Sequence, residues 1–61
     1  MANLSSKEIT ALEEQLSAER MLVAKYRGMA SQCSDAVIKN KLDTIASRHQ
    51  QHFDRILTFL N

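Results

Sequence analysis

Along the first half of the chain, apolar side chains recur in alternating steps of three and four: Ile9, Leu12, Leu16, Val23, Tyr26, Ala30 and Cys33, with Glu19 the one strongly polar residue on the stripe. That spacing keeps one face of an α-helix apolar over nearly four heptads. Ser5 and Glu8 stand at capping-box spacing ahead of it, and Leu4 and Ile9 occupy the two positions of a hydrophobic staple. The pattern predicts a first helix over about residues 6–32.

Carried past Cys33, the same phase would align Asn40, Thr44, Ser47, Gln51, Asp54 and Thr58, a polar stripe with no reason to be buried. A new stripe takes over instead: Ile38, Leu42, Ile45, His49, His52, Ile56 and Phe59, widened toward the C-terminus by Phe53, Leu57 and Leu60. It predicts a second helix over about residues 35–60. The phase breaks within Ser31-Gln32-Cys33-Ser34-Asp35, where Ser34 or Asp35 supplies the new N-cap, and so short a connection turns the helices antiparallel. The expected fold is all-α, a single domain over residues 1–61 built as an antiparallel two-helix hairpin. Leu22 and Met29 beside the first stripe, with Phe53 and Leu60 beside the second, need a further layer. A two-fold homodimer forming a four-helix bundle supplies it by self-complementation.

Composition agrees with this picture. Proline is absent, there is one glycine, and strong helix formers dominate the 61 residues. At this length a single core contributes only a few kcal/mol of net stability, so a staple is expected. The lone Cys33 cannot form an internal disulfide, and its place near the turn suits a small core filler. Eight basic and seven acidic residues give a net charge of +1, without the basic patch that tracks phosphates. Nucleic acid is therefore not an expected partner. Neither is a membrane, because no apolar run approaches the roughly 20 residues of a span, and the first residues lack the pattern of a signal peptide. The expected location is the cytoplasm. Gly28 falls on the outer face, and Glu13 and Arg55 fall at similar heights on the two helices, within reach of a cross-helix pair.

The chemistry of interest is confined to one level of the hairpin. Counted outward from the turn, Glu19 lies about fifteen residues before it, and His49 and His52 about fifteen and eighteen after it, so all three share a layer. The i, i+3 spacing sets both imidazoles on one helix face, as two ligands of one ion require. One carboxylate with two imidazoles suits zinc or, with open positions, iron or manganese. The same three groups can instead form a hydrogen-bonded polar layer that fixes helix register. Tyr26, one step nearer the turn, stands either as a core aromatic or with its hydroxyl against the layer. Were both histidines buried and neutral, stability would fall as pH drops through about 6.5. Nucleophilic hydrolysis and phosphoryl transfer lack their residues: no Ser-His or Cys-His pairing sits on a suitable element, and there is no Gly-rich loop.

Glu19-x6-Tyr26 on one helix followed by His49-x-x-His52 on the next resembles half of a ferritin-like four-helix bundle, whose pattern is Glu-x6-Tyr and then Glu-x-x-His. Glu19, Tyr26 and His52 fall on matching positions, while His49 replaces a carboxylate that bridges two irons in that family. The resulting imidazole-rich set suits a single metal, zinc, or no ion at all. The run Leu12 to Tyr26, the Ser34-Asp35 turn and the segment Ala46-Ser47-Arg48-His49-Gln50-Gln51-His52-Phe53 also resemble the small spore coat protein F-like family. That resemblance implies a structural role in the spore coat among other coat proteins, without enzymatic activity. The expected function is thus that of a self-associating structural or accessory protein. The alternative is a redox or metal-handling protein that uses the Glu19/His49/His52 layer, with Tyr26 behind it.

Overall fold

A computed structural model describes residues 3–60; Met1, Ala2 and Asn61, and with them part of the leader-free reading of the N-terminus, lie outside the described residues. Two helices, α1 (Ser6–Ser31) and α2 (Ala36–Thr58), pack against each other as an antiparallel hairpin. Both ends of α2 fall one or two residues inside the expected span, as does the C-terminus of α1.

Local chemistry sets the boundaries. The Ser5 hydroxyl accepts from the Glu8 backbone N–H at 3.1 Å, and the Glu8 carboxylate accepts from the Ser5 N–H at 2.9 Å, completing the capping box. The Ser5 backbone N–H, helped by its hydroxyl, holds the Glu8 pKa below the ordinary carboxylate value. At the other end, Gln32 closes α1 by donating its N–H to the Met29 and Ala30 carbonyls, and the Lys39 ammonium reaches back from α2 to the Ala30 carbonyl at 3.2 Å. A cation at that place also complements the negative end of the α1 dipole. Of the two candidate caps for α2 the structure uses Asp35, whose Oδ1 accepts from the N–H groups of Val37 and Ile38 at 2.9 and 3.0 Å. No described residue takes a positive φ, so the turn needs no glycine.

The interface between the helices is narrow. Val23, Ala30 and Ala46 form its fully buried apolar part, and Glu19 is buried beside them. Leu12, Leu16, Leu22, Tyr26, Leu42, Ile45, His49, Phe53, Ile56 and Leu60 are half-buried around this strip. On α1 the buried face follows the expected stripe from Leu12 to Ala30, while Ile9 at its start is 37% exposed. On α2 the face is rotated: Leu42, Ala46, His49, Phe53, Ile56 and Leu60 turn toward α1, while Ile38 and Phe59, expected on the seam, are 51% and 55% exposed.

The cause is the width of the apolar arc on α2, which exceeds what one neighbouring helix can cover. Ala46, at 0% exposure the most buried residue described on α2, lies on the side that is covered, where a small side chain fits closest to the neighbouring helix. Phe53 and Leu60, expected to await a second layer, are accordingly half-buried within the hairpin, and Ile38 and Phe59 are left exposed. The Cα atoms extend over 46 × 16 × 11 Å, a body only one helix thick. Among the described residues, the proposed pair of Glu13 with Arg55 does not form, since the ion pairs present both involve Glu19. No described helix is long and apolar enough to cross a membrane.

Gly28 tests the helix argument cleanly, because a Cβ built there meets nothing within 4 Å. With no clash to offset the gain in helix propensity, Gly28→Ala should stabilise the chain by about 1 kcal/mol. Thermal unfolding followed by circular dichroism should show a Tm higher by about 4–8 °C. An unchanged or lower Tm would contradict the placement of Gly28 on an open helical face.

Candidate metal centre

Glu19 projects from the middle of α1 into the interface, where nothing apolar can satisfy a carboxylate. The antiparallel turn brings the middle of α2 to the same level, and three polar groups converge on the two carboxylate oxygens. His49 Nδ1 lies 2.6 Å from Glu19 Oε1. His52 Nδ1 lies 3.5 Å from Oε2, and the Gln15 side-chain amide donates to Oε2 at 3.3 Å. Since an ionised carboxylate only accepts, the 2.6 Å contact requires the proton on His49 Nδ1. Among the described residues, no buried side-chain nitrogen or oxygen is left without a hydrogen-bond partner.

The rings are held in place by one another. Tyr26 stacks on His49 with centroids 5.9 Å apart and planes 10° from parallel, and His52 meets His49 edge-on at 5.6 Å. Lys25 places its ammonium 5.7 Å from the far ring of this stack, that of Tyr26. Tyr26 thus contributes its ring face, where the alternative on sequence was a hydroxyl directed at the layer. The order of exposure runs outward: the Glu19 side chain is 9% exposed, His49 23% and His52 57%. His52 is therefore at the edge of the layer, not within a core, and the acid sensitivity expected from two buried neutral imidazoles loses half its premise.

The hydrogen bond from His49 holds the Glu19 pKa below the ordinary carboxylate value, against the opposing effect of burial, with Gln15 and the charges of the two histidines adding to the lowering. Gln15 went unnoticed in the sequence, although its i, i+4 relation to Glu19 is the signal that identifies it.

The three residues expected as metal ligands do come together. Glu19, His49 and His52 each offer one ligand atom, and those atoms all lie within 4.8 Å of one another. Zinc bonds of about 2.0–2.1 Å set tetrahedral ligand atoms about 3.3 Å apart, so the side chains would have to adjust from this arrangement to hold an ion. Three donors leave a further position to be filled from elsewhere, and the donor chemistry fits zinc, iron or manganese.

In sequence the chain is similar to the "Uncharacterized protein YuzM" of Bacillus subtilis (strain 168), with 33% identity over 57 residues, which span 93% of this chain and 70% of that protein. No family model matches the chain, and no solved structure matches it significantly.

The lowered Glu19 pKa fixes the sign of a pH effect. A carboxylate held more tightly in its ionised form by the fold contributes stability that is fully present above the unfolded value near 4.5 and is lost as pH falls through the lower folded value. In urea titrations at acid pH, the advantage of the wild type over Glu19→Gln should shrink as pH falls below the unfolded value near 4.5. A gap that stays constant through the acid range would contradict the assignment.

Proposed function

The chain belongs to the same family as Bacillus subtilis YuzM, and for it we propose the function of a self-associating helical hairpin whose bundle core carries a divalent-metal site made by Glu19, His49 and His52. The observation that carries this reading is the convergence of one carboxylate and two imidazoles, with all ligand atoms within 4.8 Å, at the middle of an otherwise apolar stripe. A buried acid there is unfavourable unless compensated, and a bound cation compensates it fully. The resemblance to half of a ferritin-like bundle supports the same reading, because that architecture builds its metal sites from inward-facing side chains at one level of four helices.

Self-association follows from what the hairpin leaves uncovered. Ile38, Ile45, His52 and Phe59 recur at intervals of seven along one edge of α2, and Leu22 and Met29 do so on α1. Ile38, Phe59 and Met29 are 51%, 55% and 46% exposed. A second copy laid on this flank buries them and makes a four-helix bundle.

A structural reading without metal is favoured by one observation: Gln15 and the two rings already satisfy the carboxylate, so the layer is complete as a polar network. In that case the chain is an assembly component, with the spore coat as the setting implied by its family resemblance.

Anaerobic equilibrium titration of metal-free protein with Zn²⁺, Mn²⁺ and Fe²⁺, at a measured oligomeric state, separates the two. The metal reading predicts tight stoichiometric binding by the wild type that His52→Ala abolishes; because His52 is exposed, that variant should fold normally. Absence of binding by the wild type would overturn the metal reading and leave the layer structural.

A further inference from the structure

Glu19 stands thirteen residues after Ser6 and twelve before Ser31, and His49 thirteen after Ala36, so the polar layer sits close to the midpoint of both helices. This position has a symmetry consequence. Any two-fold dimer that overlaps the hairpins along their length returns the midpoint to its own level, whether the axis runs along the bundle or across it. The two layers, one from each copy, therefore lie at one level of the bundle.

The orientation of the rings indicates which atoms face the partner. Both imidazoles turn Nδ1 to the Glu19 carboxylate. Nε2, on the other side of each ring, has no protein hydrogen-bond partner among the described residues. A carboxylate behind Nδ1 and a free Nε2 in front is the arrangement that orients histidines as metal ligands and raises their basicity. His52, the more exposed ring, lies on the same edge of α2 as the exposed Ile38 and Phe59 and the half-buried Ile45, the flank that the proposed second copy would cover.

Charge decides the stoichiometry. Glu19 is the one buried acidic side chain among the described residues. A dication enclosed in an apolar bundle is neutralised by two carboxylates, one from each chain, whereas one dication per chain would leave two uncompensated positive charges in the core.

Resting on the metal reading above, we infer that the layer is half of a shared site: a single zinc-class dication bridges two copies of this chain through Nε2 of His49 and His52 from each. Four imidazoles complete the tetrahedral shell that one chain's donors leave open. The two Glu19 carboxylates act as positioning groups that fix the rings and balance the charge. Metal binding and self-association are then one linked equilibrium, and zinc strengthens the dimer by binding only there.

Native mass spectrometry and sedimentation equilibrium of the full chain, stripped of metal and then titrated with Zn²⁺, test this. The expected result is one zinc per two chains and self-association tightened by about tenfold or more. X-ray absorption should show four imidazole nitrogens at about 2.0–2.1 Å. Glu19→Gln should weaken zinc affinity by about 10–100-fold or more, as loss of an orienting and charge-balancing partner does. His52→Ala should leave any metal-free dimer intact and remove its response to zinc. One zinc per chain, on a monomer or a dimer, or a shell of two imidazoles with a carboxylate, would overturn the bridge while leaving the metal reading standing; no zinc bound at all would overturn both.

Discussion

The structure depends on how the buried carboxylate of Glu19 is satisfied. A charge at the centre of an apolar stripe is tolerable only where donors are fixed around it. The nearest are Gln15, one turn back on the same helix, and His49 and His52 across the hairpin. The 2.6 Å contact with His49 ties the middle of α2 to that of α1, and it forms with Ala46 buried on the same side of α2. The rotation that buries Ala46 is thus one that also satisfies the carboxylate. Tyr26, stacked on His49, extends the ordered set by about two turns of α1 toward the hairpin bend.

This rotation leaves one edge of α2 unused by its own chain. With three fully buried apolar side chains among the described residues, the hairpin gathers little hydrophobic stabilisation of its own. Caps and the Lys39 contact contribute at the ends, where they define the helices without enlarging the core. The exposed Ile38 and Phe59 sit on the edge that also presents His52, which places the exposed chemistry and the exposed apolar surface together.

Much of the fold was legible in the residues because each signal was local or periodic. The capping box at Ser5 and Glu8, the phase break after Cys33 and the level of Glu19 with the two histidines all follow from fixed helical spacing. The rotation of α2 was not legible: its apolar arc spans two candidate faces of similar hydrophobicity, and only the fit of Ala46 against α1 distinguishes them. That ambiguity put His52 inside the expected core, whereas the structure has it at the edge, and it exchanged Phe53 and Leu60 for Ile38 and Phe59 as the residues left exposed. Asp35 prevailed over Ser34 as cap through a backbone geometry that composition does not encode, since both are good caps. Gln15 was missed because its role depends on Glu19 being buried.

The central claim is that the Glu19 carboxylate organises the layer by accepting from the Nδ1 side of the histidines. Nitrogen NMR of the imidazoles in the metal-free protein, at about pH 8 where histidine is neutral, reads the tautomer directly. The account predicts His49 with its proton on Nδ1 and a lone pair on Nε2; a proton found on Nε2 would contradict it, because Nδ1 could then donate nothing to Glu19.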